Sequence, residues 1–238
     1  TVAEERWGEV RRGRPDLREM EPGRPVACDP FTVTPVHVTH SVPESSALRI
    51  DIPGGGSIVH SGDFKLDTDP WRGPTTDVDA LRRAADDGVR LLMIDSTGAV
   101  VPGASRPERR AAEALEQAVA EATGQVVVAT FSTQLDRIDA LCHIAQRTGR
   151  RVALVGRRLQ AMARHGIDLG YLRPAPGLLV GPAGFEAAEP SARMIVASGC
   201  QGEPESALGR LSLGAHRDLE IGEGDLVVLA ARTIPGNE

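Results

Sequence analysis

Polar and apolar residues alternate from Thr32 to His40, in the order Thr-Val-Thr-Pro-Val-His-Val-Thr-His. This two-residue period predicts a strand. Ala47–Ile52 and Ser57–Ser61 read as two more, separated by the turn Gly54-Gly55-Gly56. The three form a predicted β-meander that ends at Asp63. Residues 1–30 mix charge, proline and glycine without a sustained period and read as one short helix or loop. Beyond a Pro/Gly-containing linker around 70–76 the rhythm changes. Asp77–Asp86 is helical in pattern, and Leu91–Asp95 is a short apolar strand. Four further apolar runs follow, Val126–Thr130, Val152–Gly156, Met194–Ser198 and Leu226–Ala230. Helical patterns at Pro107–Ala122, Thr133–Thr148, Leu159–His165 and Glu205–Leu213 lie between most of them.

Short strands that are apolar throughout and alternate with amphipathic helices predict a mainly parallel sheet covered on both faces. The expected division is therefore a β-rich segment over residues 1–88 and an α/β unit over 89–238, with the repeats running from about Val89 to Arg232. In such a sheet ligands gather at the carboxyl ends of the strands, where loops and helix N-termini present backbone N–H groups. The tips here are Asp95-Ser96-Thr97, Thr130-Phe131-Ser132-Thr133, Gly156-Arg157-Arg158, Ser198-Gly199-Cys200-Gln201-Gly202 and Ala231-Arg232. Hydroxyls, glycines and arginines at such tips make a phosphate-binding rim. Any one of them alone reads equally as a turn or helix cap.

The net charge of −6 over 238 residues argues against broad electrostatic binding of nucleic acid, so any such grip must be local. Arginine clusters at Arg11-Arg12-Gly13-Arg14, Arg106–Arg110, Arg147–Arg151 and Arg157-Arg158 read first as solvated faces. An aromatic content of 3% leaves little for base stacking. Cys28, Cys142 and Cys200 have no paired spacing, so the sequence reads as a protein of a reducing cytosol with no disulfide framework. No apolar run approaches the roughly 18 residues of a membrane span, and Thr1–Glu5 does not read as a signal peptide.

Four stretches carry a more specific signal: Thr39-His40-Ser41-Val42-Pro43-Glu44-Ser45, His60-Ser61-Gly62-Asp63-Phe64-Lys65, Ser198-Gly199-Cys200-Gln201-Gly202-Glu203-Pro204, and Ile234-Pro235-Gly236-Asn237-Glu238. Together they resemble, in order from about Phe31 to Glu238, the ribonuclease J family of metallo-β-lactamase/β-CASP nucleases. The resemblance implies part of a metallo-β-lactamase β-sheet followed by a β-CASP domain. It implies a zinc-dependent ribonuclease with two Zn²⁺ per complete site, able to remove nucleotides from the 5′ end of RNA and to cut internally. The expected partner is RNA, preferably 5′-monophosphorylated, and the expected assembly is a cytoplasmic homo-oligomer without membrane contact.

Carried over residue by residue, the resemblance makes His40 a ligand of one zinc and Asp63 the bridge between two. Imidazole nitrogen and carboxylate oxygen suit that ion, and two metals can activate a water while stabilising a departing phosphodiester oxygen. Asp95 resembles an acidic residue near the metal centre; the alternative is that it caps a following helix. Ser198, Gly199, Cys200, Gln201 and Gly202, with Arg157 and Ser132, are the expected phosphate-binding residues. Cys200 stands where the family usually has serine, and Glu44 and Ser61 stand where it has Asp and Thr. A thiol is a weaker donor than a hydroxyl, which shifts the expected phosphate contacts to the N–H groups of Gly199, Gln201 and Gly202.

His37 and His60 read as structural. The six histidines, His37, His40, His60, His143, His165 and His216, include no His-x-His-x-Asp-His motif, the family's main source of metal ligands. The expectation is thus of an internal fragment, inactive by itself. The other reading is a non-catalytic RNA-binding or assembly module of the same fold. A hydrolase of small esters or lactams is disfavoured, because small substrates require no inserted clamp.

Overall fold

The computed structural model describes residues 18–86 and 88–231. The arginine cluster at 11–14, Arg232 and the Ile234–Glu238 stretch lie outside the described residues. Two compact units part between Glu108 and Arg109.

The first unit is built on a five-stranded sheet in the order β1-β2-β3-β4-β5. β1 (Val26–Cys28), β2 (Phe31–His37), β3 (Ser46–Asp51) and β4 (Ser57–His60) form an antiparallel meander. The predicted hairpin turn is present, with Gly54, Gly55 and Gly56 all at positive φ. β1 was not foreseen, because three residues are too few to display a period. α1 (Val78–Asp86) follows, and Ala80 and Leu81 pack on the small core of Val36, Val38 and Ala47.

β5 (Val89–Met93) corrects the expected division of the chain. The sequence places it at the head of the parallel sheet, but it pairs in parallel with β4, His60 opposite Met93, and so completes the first sheet. The break at Glu108 lies 20 residues beyond the expected one at residue 88. An apolar strand after a helix looks the same in sequence whichever sheet receives it. Leu91, Leu92, Met93 and Ile94 are about half exposed, at 50%, 56%, 47% and 58%, so neither face of this edge strand is covered by the described residues.

The second unit contains a four-stranded sheet, all parallel, in the order β7-β8-β6-β9. Its strands are β6 (Val126–Ala129), β7 (Arg151–Val155), β8 (Arg193–Ala197) and β9 (Leu226–Leu229). Every residue of β6 is buried, as expected of an unalternating apolar run in the sheet interior. Its alternate side chains serve two cores. Val126 and Val128 pack with α2 (Glu108–Glu121), α3 (Leu135–Arg147) and α4 (Arg157–Asp168), through Leu115, Val119, Ile138, Leu141, Leu159 and Ala163. Val127 packs on the other face with Phe185 of α5 (Pro182–Glu186) and with Ala207 and Leu211 of α6 (Ala207–Ser212). The β-CASP expectation of a mainly parallel, helix-covered sheet holds here; α5 was missed because five residues span barely one turn and a half.

Candidate functional site

Within the first unit, β4 and β5 run parallel and deliver their carboxyl ends to one edge. Asp63 follows β4 by three residues and Asp95 follows β5 by two. Ser61 joins them, its N–H donating to the Met93 carbonyl at 2.9 Å and its hydroxyl accepting from the Asp95 N–H at 2.9 Å. The Asp95 carboxylate accepts from the Thr97 N–H at 2.8 Å, and the Thr97 hydroxyl, the Phe64 N–H and His40 lie near enough to favour its charged form. The Thr97 contacts are the largest cause, and together these hold the carboxyl below its usual range. The structure therefore brings His40, the Asp63-Phe64 turn and Asp95 to one edge. The helix-cap alternative for Asp95 fails, because Thr97 sits in a tight turn and the next helix begins only at Glu108.

The position of His40 is set by its neighbour. Thr39 is buried, bridges to Lys65 in antiparallel fashion and accepts the Lys65 N–H at 2.7 Å. Its own N–H reaches the Thr76 hydroxyl at 3.0 Å, and its hydroxyl binds the Lys65 carbonyl. Asp67, 4% exposed, takes the Lys65 ammonium at 3.0 Å and the N–H groups of Asp69 and Glu108 at 3.0 and 2.9 Å. Burial opposes the charge on Asp67, but these donors outweigh it and leave the carboxyl below its usual range. His37 contacts the Pro74 carbonyl at 3.1 Å, and His60 Nδ1 accepts from the Gly62 N–H at 3.0 Å.

The donor types of His40 and Asp63 suit zinc. The set does not close, however: among the described residues no three His, Cys, Asp or Glu side chains form a group able to hold a metal ion. Two metals need more imidazole and carboxylate donors than His40, Asp63 and Asp95 supply.

Within the second unit, the expected phosphate residues lie at the carboxyl edge of the parallel sheet. Ser198 directly follows β8 and donates its N–H to the Val155 carbonyl of β7 at 3.1 Å; Thr130, directly after β6, donates its N–H to the Ala197 carbonyl at 3.0 Å. The tips bearing Arg157, Ser198 and Ser132 are thus neighbours in the order β7-β8-β6. Arg157 opens α4, whose N-cap Gly156 has φ +119° and no side-chain cap; a Cβ there would meet the Ser198 side chain.

Gly199 has φ +110°, and an added Cβ would lie 2.5 Å from Cβ of Ser206, the residue that caps α6 by accepting the Gly209 N–H at 3.0 Å. Gly199→Ala is therefore expected to cost about 1–3 kcal/mol for the strained backbone alone, read as a lowered urea midpoint with an unchanged slope. An unaltered midpoint would mean that the loop is not held in this conformation.

Cys200 is buried and its thiol is pushed up to about 11, by burial first and then by the charge of Glu203, against a smaller opposing pull from Arg137. Burial and the neighbouring carboxylate thus disfavour the thiolate that a nucleophilic cysteine needs. The expected N–H donors are only partly available. Gly202 donates to the Gly199 carbonyl at 3.3 Å, and Gln201 donates to the Glu203 carboxylate at 3.1 Å. Gly199 and Gly202 also line an open cleft of about 660 Å³ with Leu208, Leu213, Ile221 and Val227, whose charged lining residue is Glu220.

Sequence reasoning assigned no role to Arg137 or Glu203. Arg137 is one more polar position of an amphipathic helix, and only the fold sets its charge near Cys200. Glu203 was visible inside the Ser198–Pro204 stretch, but its contact with Gln201 depends on the turn.

This fold, a mixed sheet preceding a helix-covered parallel sheet with glycine-rich tips, is that of a β-CASP-type α/β protein. The family description Ribonuclease J, beta-CASP domain matches residues 123–238. Ribonuclease J of Mycobacterium tuberculosis is 40% identical over 201 residues, which cover 84% of this chain and 36% of that protein. The ribonuclease J proteins of Corynebacterium glutamicum and Thermus thermophilus are each 35% identical, over 95% and 96% of this chain and 32% and 40% of their own. A crystal structure of a protein of unknown function from Enterococcus faecalis matches 77% of this chain and 45% of its own with a TM-score of 0.53 at 14% identity, a likeness of fold alone. The chain belongs to the ribonuclease J family, and it spans between 32% and 40% of the length of the three relatives named.

Proposed function

We propose that this chain is the part of a metal-dependent ribonuclease that supplies some of the metal donors and most of an RNA-gripping β-CASP domain. The observation that carries the reading is the meeting of His40, the Asp63-Phe64 turn and Asp95 at the carboxyl edge of β4 and β5. In this reading His40 and Asp63 are donors to a pair of zinc ions and Asp95 adjoins them. The loop from Ser198 to Gly202, with Arg157 and Ser132, receives the 5′-phosphate of RNA. The metal would lower the pKa of a bound water and stabilise the leaving oxygen. His40 and Asp63 are set in place by the Thr39–Lys65 bridge and the Ser61 contacts, while Arg157 can offer a phosphate two parallel N–H donors.

Processing of RNA from the 5′ end with some internal cutting, in the cytoplasm and by a homo-oligomer, belongs to the same proposal. No helix among the described residues is long and apolar enough to cross a membrane. The open donor set favours a second reading, a non-catalytic RNA-binding or assembly module.

The 238-residue chain is expected to bind Zn²⁺ weakly and to leave RNA intact, since His40 and Asp63 are the donors it offers. Calorimetric titration and a cleavage assay with and without chelator test this. Two submicromolar zinc sites, or cleavage that chelator stops, would mean that the chain completes its own metal centre. RNA binding without cleavage, unchanged when this chain is combined with metal-donor segments of a ribonuclease J, would favour the binding module.

A further inference from the structure

The loop expected to take a phosphate already holds an anion of its own. The Gln201 N–H donates to the Glu203 carboxylate at 3.1 Å, and the Gly202 N–H is turned to the Gly199 carbonyl at 3.3 Å. Two of the three backbone donors expected to grip a phosphate are therefore engaged inside the loop. The Gln201 bond is charge-assisted and resembles the bond a phosphate oxygen would accept there. The Glu203 charge also falls on the buried Cys200 thiol, opposite in sign to that of Arg137, so the carboxylate lies close to the loop it is bonded to. Glu203 is itself exposed and two residues from its partner, so it can leave for solvent without unpacking the core.

We propose that Glu203 is a specificity-determining residue: a built-in carboxylate competitor that holds the Gln201 N–H until a phosphate displaces it. This rests on the reading of the Ser198–Gly202 loop as a phosphate site. A phosphate must break the Gln201–Glu203 bond and tolerate the displaced charge nearby. An uncharged terminus that leaves the N–H alone meets neither cost. Glu203 thus lowers the preference for phosphorylated over unphosphorylated ends, and the loop binds anions less tightly than its glycines and nearby arginines would allow.

The two parts of the effect separate by substitution. Glu203→Gln keeps an acceptor for the Gln201 N–H and removes the charge, while Glu203→Ala removes both. Affinity for adenosine 5′-monophosphate should rise from wild type to Glu203→Gln to Glu203→Ala, by about two- to fivefold overall, the scale of an exposed charge contact. The gap should narrow at high salt, where exposed charges are screened.

The experiment is an amide NMR titration of the full 238-residue chain and both variants with adenosine 5′-monophosphate, with adenosine as the unphosphorylated control. Expected are phosphate-dependent shifts at Gln201 and Gly202 that saturate earliest in Glu203→Ala, and no such ordering with adenosine. If Gln201 responds to the nucleotide but neither variant binds it tighter than wild type, the competitor role fails and the phosphate site stands. If Gln201 and Gly202 respond in none of the three proteins, the phosphate reading fails and the competitor role with it.

Discussion

Asp63→Ala and His40→Ala are each expected to bring RNA cleavage down to the level seen with chelator, once this segment replaces its counterpart in a ribonuclease J relative. The relative then supplies the donors that His40 and Asp63 leave wanting. In the proposed reading Asp63 and His40 would hold the metal pair, so loss of the carboxylate or of the imidazole would weaken metal binding and with it cleavage. Ser61→Ala should act more mildly, because it removes only the hydroxyl that accepts from the Asp95 N–H and donates to the Gly62 carbonyl, while the Ser61 N–H keeps its bond to Met93. Loss of an outer contact to a metal site typically costs about 10–100-fold in affinity or activity. RNA binding should outlast cleavage in all three variants, since the expected phosphate contacts lie elsewhere in the sequence. Metal content and cleavage rate are measured together on the unsubstituted and substituted chimeras. If Asp63→Ala and His40→Ala retain both at the unsubstituted level, these side chains are not the ligands.

Arg150→Ala is expected to destabilise the second unit by at least about 1–3 kcal/mol, the cost of leaving a buried acceptor without its donor. Arg150 is only 4% exposed, yet it faces no carboxylate among the contacts that hold it. Its guanidinium instead donates to four backbone carbonyls: Gly124 at 2.9 Å, Arg193 at 3.1 Å, Val119 at 3.4 Å and Ala122 at 2.7 Å. Two of these, Val119 and Ala122, are carbonyls from the end of α2, which no further turn of helix satisfies. Positive charge at a helix carboxyl end is also favourable in itself. Truncation would leave those carbonyls buried without donors and open a cavity between α2 and the starts of β6 and β8. Arg150→Lys should recover only part of the loss, because an ammonium cannot fork across four acceptors. Burial lowers the Arg150 pKa from its usual value, but the group has no neutral form near neutral pH, so the effect should be flat between about pH 6 and 9. Urea unfolding of the three proteins decides. A loss below about 1 kcal/mol for Arg150→Ala would mean that water replaces the guanidinium at those carbonyls.

The legible parts of this protein were the ones governed by short-range chemistry. The period of Thr32–His40, the glycines at 54–56 and the unalternating runs at 126–130, 152–156 and 194–198 each impose a local geometry: β2, β6, β7 and β8 coincide with the patterned runs, and β3 and β4 flank the glycine turn. The stretches around His40, Asp63 and Ser198 carried the family resemblance because their residues follow one another in the chain. Other features are invisible at that range. β5 joins the first sheet because β4 offers it a parallel edge, and nothing within Val89–Met93 distinguishes that edge from one in the second sheet.

The neighbours that give the site residues their surroundings come from far along the chain. Ser61 meets Asp95 across 34 residues, and Thr39 meets Thr76 across 37. Arg150 looked like one cation in a solvated run until α2, β6 and β8 closed around it. Glu203 looked like part of a motif until the turn at Gly202, φ +78°, folded its carboxylate back on Gln201. By itself the sequence determined where most strands, helices and sharp turns lie, because these follow from residue type and spacing. Only the tertiary structure decided which sheet received β5, which donors lie together and which backbone N–H groups of the loop are already taken, because those depend on strand pairing and packing between residues that sequence order keeps apart.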